Sequence, residues 1–450
     1  MELKYLNWSI LKIKFSKPVL LLLVLTIFLI LRIWLLPQTI NFAWDQERDA
    51  TVVSKIITNH VFPLIGPRVV GDHGFFLGPY FFYLLTPFYV LSGLHPYAII
   101  YFLVFFSLIF FSLAFIALNK IINFKTAVIF LSIWAVLPLT ITQDRIAWNP
   151  CLIPFGFFII LFFLSRFKPL SKNFLILGVI LGLFFHFHFQ SLFYLIFVLA
   201  YLIIRYPRSI LKLIWLFIGF GLTFAPLLIF DLRHQWLNFN LFQNFFFSSP
   251  NTTHSLTAFL PVWVNFVKQI SGIDNIIFSI LFWFVLIIYG YVNRHQKYFL
   301  PATLIIFITP IAFALYGQRP SEYYFNYLLP IIILFLAHFI SRLKISPYFI
   351  GLILIAISIN SFVSLKTNPS SLFYKNNIVK TAKSILKDNP VFISYETPLG
   401  ENNGFDYLIN YYKINRSLDP LRPMVQFVIP KRNSFPTFGN ISLILPQIIQ

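Results

Sequence analysis

The sequence predicts an all-α polytopic membrane protein with about 11 transmembrane helices, juxtamembrane helices in the first outer loop, and a small C-terminal α/β extracytoplasmic unit. Three observations predict it. Of the 450 residues, 58% are hydrophobic and 11% are charged, where soluble domains carry roughly a quarter charged residues. Apolar runs of helical length alternate with short basic gaps. Beyond residue 365 the composition turns polar, and Asp388, Glu396, Glu401, Asp406 and Asp419 follow one another closely. No water-soluble core hides this much apolar surface. Lipid is therefore the solvent for residues 1–365, and residues 366–450 read as a small soluble extracytoplasmic domain.

The net charge is +20. In a soluble chain that would point to nucleic acid. Here Lys and Arg sit in the gaps between apolar runs, where they fix topology, so nucleic acid is not an expected partner. The single cysteine, Cys151, excludes an intrachain disulfide. Lys4, Lys12, Lys14 and Lys17 hold the N-terminus in the cytoplasm. The first span, 18–36, is followed by no small-residue cleavage site and reads as a retained helix rather than a signal peptide.

Past Pro37 the chain becomes polar, with Asp45, Glu47, Arg48, Asp49, Arg68, Asp72 and His73. The aromatic stretch 79–92 is short and interrupted by Pro87, so it reads as an interfacial helix that does not cross. Further spans follow near 97–118, 126–142, 151–165, 174–189, 191–204, 213–230, 276–292, 299–316, 323–341 and 347–365. The inner gaps then hold Lys120 and Lys125; Arg166, Lys168 and Lys172; Arg205, Arg208 and Lys212; Arg294 and Lys297; Arg342 and Lys344, and no acid. The acids Asp45, Glu47, Asp49, Asp72, Asp144, Asp231, Asp274 and Glu322 all fall outside. Asp and Glu contribute little to orientation, so their one-sidedness marks an outer face that needs carboxylates. The C-terminal unit lies outside by parity, with helices over 376–387 and 405–412 and a strand at Val391–Tyr395.

The strongest constellation is Trp44-Asp45-Gln46-Glu47-Arg48-Asp49-Ala50, just past the first span. Three carboxylates and a guanidinium are costly beside lipid unless paired. In a helix over 44–58, Asp45 and Asp49 share a face at i, i+4, while Glu47 points elsewhere. A carboxylate beside apolar surface gains basicity, which suits a general base. The bland alternative is a cap at Asp45 with Arg48 snorkelling, but a cap needs one acid, not three.

Thr142-Gln143-Asp144-Arg145 breaks two spans on the outer side. It offers a second acid and an anion ligand, or simply a polar turn ahead of Pro150. His186-Phe187-His188-Phe189-Gln190 puts three polar groups in apolar sequence. Intramembrane polar groups are functional candidates, with interhelical hydrogen bonding as the alternative. No carboxylate-rich spacing accompanies the two histidines, so no metal site is expected. Asp231-Leu232-Arg233-His234 and Gln318-Arg319-Pro320-Ser321-Glu322-Tyr323-Tyr324 each place an Arg at the outer surface, suited to bidentate grip on phosphate or to anchoring on lipid head groups.

Paired acids with several Arg and His groups at one depth fit transfer of a sugar from a phosphate leaving group. No GxxxxGK[ST] and no G-x-S-x-G motif is present, so neither nucleotide hydrolysis nor a serine nucleophile is supported. The first loop, Asp45-Gln46-Glu47-Arg48-Asp49-Ala50, resembles that of the GT-C glycosyltransferases, in the bacterial form of the protein O-mannosyltransferase and aminoarabinose-transferase superfamily. Gly78-Pro79-Tyr80 with Tyr83-Leu84-Leu85, Asp144, and Tyr323-Tyr324-Phe325 with Tyr327-Leu328-Leu329-Pro330 are similar to further segments of that family. Relatives often carry adjacent Asp-Glu where this chain has Gln46 between its acids. The resemblance spans roughly residues 1–340 in layout. It implies a plasma-membrane enzyme with Asp45 as base, a polyprenyl-phosphate-sugar donor, an inverting single displacement, and neither nucleotide sugar nor cofactor.

The expected catalytic residues are Asp45, Glu47 and Asp144. The expected substrate ligands are Arg48, Asp49, Arg145, His186, His188, Gln190, Arg233, Arg319, Tyr323 and Tyr324. The acceptor is a hydroxyl or amine of a protein, lipid or glycan. The rival reading is a flippase of lipid-linked sugar without chemistry; paired halves, which transporters often show, are not seen here. A ligase or polymerase with a diphosphate leaving group is a third.

Overall fold

The computed structural model describes residues 16–69, 74–247, 256–316, 321–343, 356–359, 361–362, 365–432 and 435–446. Helix α1 (Lys17–Ile33) carries Pro18 in its first turn, where a missing N–H costs nothing. A short turn, α2 (Leu36–Thr39), follows after Leu35 adopts a left-handed conformation. The first loop then contains α3 (Trp44–Asn59), a bridge between Arg68 and Phe76, and α4 (Tyr80–Leu91). The helical periodicity at 44–58 and the short aromatic helix at 79–92 are both found, within a residue or two.

The apolar helices are α5 (Ala98–Ile121), α6 (Phe124–Val136), α7 (Pro138–Asp144), α8 (Ile153–Leu164), α9 (Ser171–Phe187), α10 (Leu192–Arg205), α11 (Leu213–Leu222), α12 (Ala225–Arg233), α13 (Leu237–Phe247), α14 (Leu256–Ser271), α15 (Ile276–Val292), α16 (Phe299–Tyr316) and α17 (Leu329–Arg342). Among the described residues only α5 and α16 are long and apolar enough to cross a membrane alone. Three bent pairs raise the total to five: α6 with α7 at 75°, the stretch 207–222 with α12 at 55°, and α14 with α15 at 79°. The remaining apolar helices have 10–17 residues, about 15–26 Å at 1.5 Å per residue against a ~30 Å hydrocarbon core. Length and composition therefore account for up to five crossings, where hydropathy gave about 11. The expected span 347–365 lies largely outside the described residues.

Continuous hydropathy conceals these breaks. The expected span 126–142 is two helices because Pro138 has no N–H for the carbonyl of Trp134. The gap 231–275 between two expected spans holds α13 and α14.

The C-terminal unit contains α18 (Leu372–Leu386), β1 (Val391–Glu396), α19 (Phe405–Tyr411), β2 (Arg416–Ser417), β3 (Met424–Val428), β4 (Thr437–Phe438) and β5 (Ile441–Ile444). The sheet order is β2-β1-β3-β5-β4. Strand β1 is parallel to β2 and β3, with Tyr395 opposite Phe427, and β3 is antiparallel to β5, with Phe427 opposite Leu443. Ile378, Val391, Phe405, Phe427 and Leu443 are buried in the same continuous apolar cluster as Phe28 of α1 and Phe102 of α5. The sheet is thus packed onto the helical body.

Candidate active site

The second residue of α3 is Asp45. Its helix starts where Ala43 donates its N–H to Gln46 Oε1 at 3.2 Å, and Gln46 Nε2 donates to the Ala147 carbonyl at 2.9 Å. Arg48, one turn on, forks between two acids. Its Nη1 donates to Asp45 Oδ1 at 2.8 Å, while Nε and Nη2 donate to Asp49 Oδ1 at 2.8 and 2.6 Å. The two carboxylates differ in surroundings. Asp45 is 40% exposed, whereas Asp49 is 2% exposed. Burial pushes the Asp49 carboxyl up to about 7, although the adjacent Arg48 guanidinium opposes the shift. Asp49 Oδ2 is buried with no hydrogen-bond partner.

Asp45 opens into a polar cavity of about 420 Å³ shared with Arg48, Arg68, Trp148, Asn149, His188, Tyr323 and Tyr324. Five segments build it. The bridged segments 66–69 and 74–77 carry Arg68, whose Nε donates to the Gly74 carbonyl at 2.7 Å. Asn238 of α13 pins them, accepting from Phe76 N at 2.6 Å and donating to Phe76 O at 3.2 Å. Asp231 in turn accepts from Asn238 N at 2.7 Å. His188 accepts from the Gln190 N–H at 3.3 Å, which starts a 3-10 turn at Phe189–Ser191. With its nitrogen turned toward them, the Gln190 amide reaches the carbonyls of Tyr324 and Tyr323 at 3.0 and 3.2 Å, and both tyrosine rings pack against His188.

An apolar cavity of about 830 Å³ lies alongside, lined by Phe189, Gln190, Leu192, Phe193, Ile196, Ala312, Phe313, Leu315 and Tyr316. Tyr324 lines the polar cavity, and its ring packs on Phe189 and Tyr316 with centroids 5.3 and 6.1 Å apart. Gln190, Phe189 and Tyr324 thus form the wall between a wet space and a greasy one.

Other expected site residues take different places. Asp144 Oδ2 accepts from Arg32 Nε and Nη2 at 3.0 and 2.9 Å and from Trp134 Nε1 at 3.0 Å. The same Arg32 donates to the Trp134 and Ala135 carbonyls at 2.7 and 2.6 Å, the very groups exposed by the bend at Pro138. Arg145 reciprocates by donating to the Leu31 and Trp34 carbonyls, both at 2.9 Å, and to Thr39 Oγ1. These are the carbonyls that the end of α1 leaves without helical partners. Asp144 and Arg145 therefore lock α1 to the α6–α7 bend. His186 accepts from the Gly78 N–H at 3.0 Å, and a side chain at Gly78 would meet that ring at 2.6 Å. Glu47 faces α19. Arg233 is exposed at the end of α12 and does not line the cavity. Arg319 lies outside the described residues.

Arg32 and Arg68 were not singled out by the sequence. Arg32 sits in the last turn of an apolar helix, a place where a buried charge signals a partner. Arg68 carries no local signal, because the bridged segment that aims it is pinned from α13. No cluster of metal-binding side chains occurs among the described residues.

No family model and no curated protein matches the chain. Solved structures do. ArnT from Cupriavidus metallidurans in its apo state aligns over 94% of this chain and 97% of its own, with a TM-score of 0.60 and 10% identity. The same protein bound to undecaprenyl phosphate aligns over the same shares with a TM-score of 0.56 and 11% identity. The apo Archaeoglobus fulgidus oligosaccharyltransferase gives a TM-score of 0.50 at 13% identity, over 88% of this chain and 64% of its own. At such identities the likeness is one of fold: over most of its length the chain has the architecture of these solved structures.

Proposed function

We propose that this protein is a membrane glycosyltransferase that moves a sugar from a polyprenyl-phosphate donor to an acceptor hydroxyl or amine at the outer membrane face. The observation that carries the reading is the nearness of the polar cavity, which Tyr324 lines, to the apolar one, whose lining residues Phe189 and Tyr316 pack on Tyr324. A single-chain lipid phosphate needs this pairing: a dry groove for the isoprenoid and a wet pocket for the phosphate and sugar. The solved relative bound to undecaprenyl phosphate supports the same donor class.

In the proposed reaction the acceptor oxygen or nitrogen attacks the anomeric carbon. The bond from that carbon to the phosphate oxygen breaks, inverting the centre. The acceptor proton passes to Asp45, and polyprenyl phosphate leaves with the electron pair. Asp45 fits the base role because it is the acid that opens into the cavity while Arg48 holds its orientation. Arg68 stands across the same cavity and offers its guanidinium to the departing phosphate, the role that the sequence assigned to Arg233 and Arg319. His188, Tyr323 and Tyr324 supply neutral polar contacts to the sugar and phosphate.

The test is a radiolabelled lipid-phosphate-sugar assay on protein in detergent or nanodiscs. Release of free polyprenyl monophosphate by the wild type, with loss of release in Asp45→Asn and retained donor binding, supports the proposal. Movement of labelled lipid between leaflets without release favours the flippase, and a diphosphate product favours the ligase.

A further inference from the structure

The C-terminal unit docks on one short stretch of the first loop. Residues 40–43 join α2 to α3, and three carbonyls between Gln38 at the end of α2 and Phe42 are taken by the C-terminal unit. Gln38 O accepts from Asn368 N at 2.8 Å, Ile40 O from Leu372 N at 3.1 Å, and Phe42 O from Lys375 Nζ at 3.2 Å. Lys375 is 2% exposed and also donates to the carbonyls of Glu401 and Asn403 at 3.2 and 2.6 Å. It thereby bolts the loop ahead of α19 to the segment ahead of α3. Gly404 closes this joint with φ of +97°, and a Cβ there would meet Phe42 O at 2.0 Å. Tyr407 packs its ring against Phe42 and Tyr89, and its hydroxyl donates to Leu94 O at 2.7 Å.

Glu47 completes the joint from the α3 side. Two residues beyond Asp45, it lies about 200° around the helix and faces away from the cavity. Each of its oxygens takes one backbone N–H: Gly404 N reaches Oε2 at 2.7 Å and Tyr407 N reaches Oε1 at 2.8 Å. Burial raises the Glu47 carboxyl from its ordinary range, and these two backbone donors work against that shift. Asp406 and Lys375 are the other charges that act on it.

We propose that Glu47 is a positioning residue through which the C-terminal unit sets the placement of Asp45, so that this unit is part of the catalytic scaffold rather than an appendage. The inference rests on the reading of Asp45 as the base. Glu47 itself touches no reacting atom. Its contacts fix the start of α3 against 38–42, and misplacing a base by about 1 Å costs on the order of 100-fold in turnover.

The experiment compares Glu47→Gln, Glu47→Ala and Lys375→Met with wild-type full chain in nanodiscs, at a temperature where each is shown to be folded by its thermal melt. The expected result is a graded fall in kcat, with Gln milder than Ala, and the donor KM within about twofold throughout, the signature of lost transition-state placement rather than lost binding. Lys375→Met, on the far side of the joint, is expected to lower kcat in the same way. Full kcat in Glu47→Ala overturns the proposal, as does a rise in KM with kcat unchanged. A Glu47→Gln loss as deep as that of Asp45→Asn, with Lys375→Met unaffected, also overturns it, because Glu47 would then act directly. Full turnover in Asp45→Asn removes the base reading and with it the role given to Glu47, whereas full kcat in Glu47→Ala beside an inactive Asp45→Asn removes the positioning role alone.

Discussion

Asp45 with Arg48 and Asp144 with Arg145 look alike in sequence: each is an acid close to an arginine in a polar stretch beside an apolar run. The fold treats them differently. Arg48 divides its donors between Asp45 and Asp49, and the Asp45–Arg48 edge stays open to a cavity, 40% and 25% exposed. Asp144 is 17% exposed and Arg145 is 6% exposed. Asp144 accepts from Arg32 and Trp134, and Arg145 spends its donors on carbonyls at the end of α1. Charge density in the sequence therefore does not distinguish the two sites. The difference lies in their partners: Arg48 pairs within its own helix, whereas Asp144 and Arg145 bind groups of α1.

Breaking the open pair is expected to have the largest kinetic effect. Asp45→Asn should lower turnover by roughly 10²–10⁴-fold, the usual contribution of a general base, with the thermal melt unchanged. Breaking the closed pair should do the reverse. Asp144→Asn strands the Arg32 charge in the core, which costs about 3–5 kcal/mol of stability. The folded remainder should keep near-normal kcat, and replacing Arg32 and Asp144 together with apolar residues should recover part of the melt. Should Asp144→Asn leave the melt intact and abolish turnover, the two pairs would have to exchange roles. Arg68→Ala removes a charge-assisted contact worth about 1.5–3 kcal/mol, so kcat/KM for the donor should fall about 10–100-fold.

The smallest effect is a pH term. The Asp49 carboxyl, pushed up to about 7 by burial, gains its charge as pH rises through neutrality. That charge then competes for Arg48 and makes Asp45 more basic, so the rate should climb between about pH 6 and 8. Asp49→Asn should flatten this limb. For stability the sign is opposite: a carboxyl raised above its unfolded value of 3.8 favours the fold most at acid pH, and that benefit fades as pH passes about 7.

Much of the architecture was legible because it is local. Helix α3, helix α4 and strand β1 follow from the spacing of their own residues, and Asp45 stood out for its dense acidic neighbours. What was hidden depends on distant partners. The role of Asp144 needs Arg32, 112 residues away, and that of Arg145 needs carbonyls at the end of α1. Arg68 reaches the cavity only because Asn238, 162 residues from Phe76, pins the bridged segment opposite it. The breaks at Pro138 and between α11 and α12 were smoothed over because hydropathy averages across a bend that leaves composition unchanged.

The joint between residues 38–42 and the C-terminal unit has a consequence for how the protein is made. Its three carbonyls and Glu47 emerge early from the ribosome, yet Gly404 follows Glu47 by 357 residues. At ~5–20 residues per second that interval is roughly 20–70 s. During it α3 is already made, but the residues that brace it have not been translated. A nascent chain therefore carries Asp45 and Glu47 before the sheet that closes on them exists.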